Sequence, residues 1–150
     1  MARFVYGMQS VLNIKQQTEN QTRMEFGVAQ AEYNKQLEIL EGYISRRERY
    51  LEEAEQLRQE SSLKLQDILD NQYAVAQMDA MINQQKTVVD MFESKLEKVR
   101  VKLTRNIQER KMQEILRDRA FAEYLEEEKQ EEAKENDQRS SFTYGQKQKE

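Results

Sequence analysis

The chain has 150 residues and no proline, cysteine or histidine, with 24 basic and 28 acidic side chains that leave a net charge of −4. Without cysteine or histidine it lacks disulfides, thiolate or imidazole nucleophiles and nitrogen or sulfur metal ligands, and its four glycines form no phosphate-binding loop. No apolar run is long enough to span a membrane, no secretory signal is expected, and the slightly acidic balance offers no general attraction for nucleic acid.

After an extended lead-in over residues 1–9, the first predicted element is a helix over about residues 10–59, with Ser10 as its N-cap. Strong helix formers occupy most of this stretch, and no proline interrupts it. Apolar residues recur at steps of four and three, which predicts one narrow stripe along a long helix. The stripe consists of Tyr33, Leu37, Leu40, Ile44, Leu51 and Ala54.

The stripe stops at residues 60–62, which predicts a chain reversal over about residues 60–72, with Ser61 or Ser62 capping a short helical segment before Leu63 and Leu65. A second helix is predicted over about residues 71–136. Its stripe has the same four-three step and consists of Val75, Met78, Ile82, Val89, Phe92, Leu96, Val99 and Leu103. Beyond Asn106, the apolar residues Ile107, Met112, Ile115 and Leu116 indicate a shift in the phase of the repeat.

Two stripes on either side of one reversal predict an all-α fold, in which two long helices form an antiparallel coiled-coil hairpin as one domain over residues 1–150. With the reversal centred on residue 66, the numbers of partner residues add to about 132, which sets Leu40 near Phe92 and Ile44 near Val89. The acidic end of the second helix, after Glu123, then overhangs the start of the first. Residues 137–150 are predicted to be a frayed tail.

A narrow seam between two charged helices leaves no cleft in which carboxylates acquire shifted pKa values, so neither an enzyme nor a cofactor or metal site is expected. Tyr43, Tyr50 and Tyr73 lie off the strict stripe, where a tyrosine either covers the seam edge or contacts a partner protein. Gln36 and Arg47 share a helix face with Tyr43. These five residues are the candidate partner-binding positions.

Several segments resemble the flagellar FliJ family: MARFVY at residues 1–6, SVLNIK at 10–15, EFGVA at 25–29, and ERK at 109–111 with Tyr124 and the acidic stretch after it. The resemblance implies a non-enzymatic stalk or escort protein of the flagellar type III export apparatus. It implies three partners, namely the hexameric export ATPase, the cytoplasmic domain of the membrane export gate, and export chaperones. The implied location is cytoplasmic, peripheral to the inner face of the cell membrane at the flagellar base, with only indirect membrane contact. The alternative is a structural coiled-coil spacer or a holdase-like chaperone without an ATPase partner.

Overall fold

The computed structural model describes residues 3–62 and 64–149, and the side chains among them as far as residue 146. Within these ranges the chain forms two helices, α1 over Gln9–Gln59 and α2 over Leu65–Lys149. Side-chain bonds between the helices show that they are antiparallel. Lys15, early in α1, bonds to Glu109, and Arg47, later in α1, bonds to Asp79, which comes earlier in α2. The predicted all-α fold and the antiparallel hairpin are confirmed.

The end of α1 at Gln59 is as predicted, and the start of each helix differs from the prediction. The Leu12 N–H donates to the Met8 carbonyl at 3.1 Å, so α1 begins one residue before the expected cap Ser10. The Ile68 N–H donates to the Lys64 carbonyl at 3.2 Å, so α2 begins just after the link rather than near residue 71. The expected short segment at the reversal is therefore the first turn of α2. Leu63, which was expected to follow the cap, lies outside the described residues.

The predicted frayed tail is also helical, since α2 continues beyond residue 136 as far as Lys149. Residues 137–149 are mostly polar, but their glutamine, lysine and arginine residues have good intrinsic helix propensity, which offsets weaker helix formers such as Ser140, Ser141 and Gly145. Polar composition alone favours disorder, but the stretch contains no proline that would end the helix.

Contacts divide the chain into two units, which are described separately. The terminal unit comprises the described residues up to Asn20 together with those from Arg105 onward, and the central unit is Gln21–Thr104. The expectation that residues 1–150 act as one domain stays a prediction.

In the central unit, the core is built mainly by α2. Its buried apolar side chains are Met78, Ile82, Val89 and Leu96, all from the predicted stripe. On α1 the stripe is rotated from the expected one, because Ile44 and Leu51 are 37% and 42% exposed. The half-buried face instead contains Phe26, Ala29, Tyr33, Gln36, Leu40, Tyr43, Arg47, Tyr50, Ala54 and Leu57, which also step by four and three.

The register of the central unit corrects the predicted pairing. The numbers of the bonded residues Gln36 and Gln85 add to 121, and those of Arg47 and Asp79 add to 126. The predicted sum of about 132 is therefore wrong by about one heptad. Because the stripe repeats every seven residues, a one-heptad shift again places apolar side chains opposite apolar ones. Apolar matching alone therefore did not distinguish the two registers.

In the terminal unit, the predicted phase shift of the α2 stripe is wrong. The four-three step continues from buried Asn106 through the half-buried residues Arg110, Gln113, Arg117, Ala120 and Tyr124. Met112, Ile115 and Leu116 are exposed. The seam here is polar because its side chains make specific interhelical bonds, which leaves the apolar residues on the outer face of the helix.

Candidate partner-binding surfaces

The side chains of two of the five predicted contact residues bond across the seam of the central unit. The Gln85 side-chain amide donates to the Gln36 backbone carbonyl at 3.0 Å and to the Gln36 Oε1 at 2.8 Å. The Arg47 Nε donates to Asp79 Oδ1 at 2.5 Å. These bonds turn Gln36 and Arg47 toward α2, so both residues stabilise the hairpin.

The two helices are also bonded near the reversal, where the Asn71 side-chain amide donates to the Tyr50 backbone carbonyl at 2.8 Å. The Tyr43 and Tyr50 side chains are half-buried on the same face of α1. Tyr73 on α2 is 67% exposed, and its hydroxyl accepts a hydrogen bond from Gln77 at 3.0 Å. The structure therefore places four candidates on the seam face of α1 and one in solvent. Their role in binding a partner stays a prediction.

A second surface of the central unit was not anticipated. An open groove of about 600 Å³ runs beside Met24 and Val28, with Ala29 and Val99 also lining it. Glu25 and Glu32 border it on α1, and Lys95 and Lys98 border it on α2. The sequence pattern did not predict this groove, because Met24 and Val28 lie outside the four-three stripe.

The terminal unit contains a charged cluster where a coiled coil usually has apolar side chains. Arg110 donates through Nε to Glu19 and through Nη1 to both carboxylate oxygens of Glu114 at 2.9 Å. Glu19 is only 5% exposed. The hydrogen bonds that Arg110 donates to Glu114 and Glu19 raise the pKa of Arg110 above its ordinary value. Lys15 pairs with Glu109 at 3.0 Å beside this cluster.

An aromatic cluster attaches the N-terminal lead-in to α2 within the same unit. The Phe4 ring lies 5.1 Å from the Phe121 ring and 5.3 Å from the Tyr124 ring, and the Tyr6 hydroxyl donates to Gln113 at 3.0 Å. Burial, assisted by nearby Glu128, raises the pKa of the Tyr124 hydroxyl. The lead-in, predicted only as extended chain, is therefore held against the helix by ring packing.

Beyond this cluster, α2 continues with every side chain from residue 129 to residue 146 exposed. The expected overhanging helix end is thus present in the terminal unit. Phe142 and Tyr144 lie on it as exposed aromatic residues. Sequence reasoning missed them as contact candidates because it assigned them to a frayed tail. Their signal was the presence of two aromatic side chains in an otherwise polar stretch, since such residues are enriched at interfaces.

Among the described residues, no cluster of three or more acidic, histidine or cysteine side chains has the arrangement that holds a metal ion. No helix in that part of the chain is long and apolar enough to cross a membrane.

The model of the family described as "Flagellar FliJ protein" matches residues 5–149, nearly the whole chain. The chain belongs to the flagellar FliJ family. No curated protein and no solved structure matches it. The resemblance seen in the sequence, which was strongest in the N-terminal segments, is confirmed.

Membership of the FliJ family makes the chain a component of the flagellar export apparatus. For a protein of this kind the functional sites are contact surfaces. The FliJ-family chain has three candidate contact surfaces. They are the seam face of α1 near the reversal together with the exposed Tyr73, the groove at Met24 and Val28, and the exposed part of α2 after Tyr124.

Proposed function

We propose that the chain couples the hexameric export ATPase to the cytoplasmic domain of the membrane export gate and assists delivery of chaperone–substrate complexes during flagellum assembly. The observation that carries this proposal is the exposed C-terminal part of α2, which extends for many turns beyond the aromatic cluster of the terminal unit. A single helix without a packing partner suits insertion into the centre of a protein ring.

The terminal unit is the part assigned to the ATPase. Phe142 and Tyr144 supply exposed aromatic side chains, and the acidic stretch before them supplies charge. Aromatic residues anchor many interfaces because they bury a large apolar area with few rotatable bonds. Phe142 and Tyr144 are therefore the proposed ring contacts.

The central unit is the part assigned to the gate. Tyr73 is the proposed primary contact, because it is exposed and its hydroxyl bonds only to a neighbour on its own helix among the described contacts. Tyr43, Tyr50, Gln36 and Arg47 are proposed as the edge of the same contact. Both assignments place the protein at the inner face of the cell membrane at the flagellar base, attached through its partners.

The test measures binding to the ATPase and binding to the gate domain. It uses two double variants of the full-length chain, each expected to weaken one of these interactions and to retain the other. Phe142→Ala with Tyr144→Ala is expected to weaken co-sedimentation with the ATPase hexamer and to remove stimulation of its turnover, while gate binding is retained. Tyr73→Ala with Tyr43→Ala is expected to weaken gate binding while ATPase binding is retained. Circular dichroism checks that both variants keep their helical content.

An alternative function, a structural spacer or a holdase-like chaperone, makes the opposite prediction. A spacer binds neither the ATPase nor the gate domain, and a holdase suppresses aggregation of unfolded clients without an ATPase. If the unaltered chain binds neither partner at tens of micromolar, the coupling proposal is wrong.

A further inference from the structure

The outer face of α2 in the terminal unit carries an apolar patch that packs against nothing else in the described chain. Met112, Ile115 and Leu116 follow the i, i+3, i+4 spacing that places side chains side by side on one helix face. They are 63%, 54% and 40% exposed. Large apolar side chains grouped in this way on a helix surface are typical of an interaction site.

Basic residues surround this patch. Lys111 and Arg119 are exposed on the same outer face, and Arg105 lies two turns before Met112. Of the nearby acids, Glu109 pairs with Lys15, Glu114 pairs with Arg110, and the exposed Asp118 pairs with its neighbour Arg117 at 3.6 Å. The outer face of α2 from residue 105 to residue 119, called here the basic–apolar face, is therefore suited to an acidic helix.

The same helix supplies such an acidic surface directly after this face. Residues 123–137, called here the acidic stretch, contain eight acidic and two basic side chains and are helical throughout. Ala122 and Ala133 lie on the continuation of the same outer line of α2, at steps of four and three from Ile115, and their small side chains permit close helix approach. One copy thus carries two complementary surfaces that it does not bring together itself.

We propose that a second copy of this chain docks antiparallel along α2, so that the basic–apolar face of each copy contacts the acidic stretch of the other. A two-fold axis near residue 121 satisfies both contacts at once, as closed symmetry requires. The numbers of facing residues then add to about 242, which sets Lys111 near Glu132 and Arg119 near Glu123 of the second copy. Met112 then faces Gln130 and Ile115 faces Glu127, and the aliphatic parts of these long side chains cover the two apolar residues.

The surface area that the two copies bury gives a first indication of the affinity expected for the dimer. Residues 105–137 form about 50 Å of helix, and a strip about 10 Å wide on each copy amounts to about 1,000 Å² in total. That area is at the low end for specific interfaces, so a weak, concentration-dependent dimer follows. An anionic membrane is a poorer occupant, because the acidic stretch of the same helix would be repelled by acidic lipid.

Sedimentation equilibrium of the full-length chain tests the proposal over protein concentrations from micromolar to millimolar. The unaltered chain is expected to dimerise, and Met112→Glu is expected to raise the dimer dissociation constant at least about tenfold, a loss of 1.4 kcal/mol or more. Met91→Glu is the matched control, since Met91 is also an exposed methionine on α2 but lies in the central unit. This control is expected to leave the dissociation constant unchanged.

A charge exchange tests the antiparallel pairing itself. Lys111→Glu is expected to weaken the dimer, and the double variant Lys111→Glu with Glu132→Lys is expected to restore it, because each exchange recreates the pair with reversed signs. Circular dichroism verifies that helical content is retained. A chain that stays monomeric at millimolar concentration would overturn the proposal. So would equal effects of Met112→Glu and Met91→Glu, failure of the charge exchange to restore the dimer, or binding to anionic vesicles without self-association.

Discussion

Paired cysteines test the register of the hairpin, and the absence of native cysteine makes the result unambiguous. The structure sets Gln36 against Gln85, joined by a side-chain bond of 2.8 Å. The alternative register, which apolar matching also allows, sets Leu40 against Phe92. Since the two registers differ by about seven residues in the pairing sum, Leu40 lies on the order of 10 Å along the helix from the position that faces Phe92.

A disulfide requires Cα atoms within about 7 Å of each other, so an offset of this size decides between the registers. The variant with Gln36→Cys and Gln85→Cys is expected to form an intramolecular disulfide under mild oxidation, detected by altered gel mobility and loss of free thiol. The variant with Leu40→Cys and Phe92→Cys is expected to remain reduced under the same conditions. Efficient crosslinking of Leu40→Cys to Phe92→Cys, with none between positions 36 and 85, would refute the register described here.

Three further predictions concern stability. Leu12→Ala removes a fully buried side chain and is expected to lower the free energy of unfolding of the terminal unit by about 2–5 kcal/mol in urea titrations, whereas Ile14→Ala, at an exposed position, should cost far less. Gly42→Ala is expected to raise stability by about 0.5–1 kcal/mol, because no described atom lies within 4 Å of the added Cβ; a loss of stability would show an unrecognised contact. The pKa of Tyr124 is raised from its ordinary value of 10.0 in the folded chain, so its contribution to stability is complete below that value and is lost as the pH rises through the higher folded pKa. Tyr124→Phe should remove this alkaline loss in thermal unfolding measured across pH, and an unchanged pH profile would contradict the assignment.

The sequence predicted the fold class correctly because a four-three repeat of apolar residues has few other solutions in a chain without proline. It did not predict the phase of the α1 seam, since Leu37, Ile44 and Leu51 also recur every seven residues and compete with Gln36, Tyr43 and Tyr50 for the inner face. The outcome depends on polar bonds, such as that between Gln36 and Gln85, which periodicity does not reveal.

The polar seam of the terminal unit was not predicted either, because periodicity does not reveal polar bonds between the helices. Met112, Ile115 and Leu116 were assigned to the seam because they are apolar, whereas the structure gives that position to Arg110 and Gln113. A buried carboxylate such as Glu19 is stabilised by its partners on the other helix, and these become visible only when the register is known. The contact candidates Phe142 and Tyr144 were missed because their polar surroundings suggested disorder.

The proposed self-association and the proposed ATPase contact use neighbouring parts of α2, so the two are expected to compete. When a second copy covers the acidic stretch, less of α2 is exposed for contact with the ATPase ring. The Met112→Glu variant, which favours the monomer, is therefore expected to bind the ATPase at least as well as the unaltered chain does.

Formation of a three-component complex tests the coupling claim most directly. The export ATPase, the cytoplasmic domain of the gate and the full-length chain are mixed at equal concentration, and the complexes are separated by analytical ultracentrifugation. The account predicts that the gate domain sediments with the ATPase hexamer only when the chain is present, and that Phe142→Ala with Tyr144→Ala abolishes this joint species. Two separate complexes that never contain all three components, or joint sedimentation that does not need the chain, would contradict it.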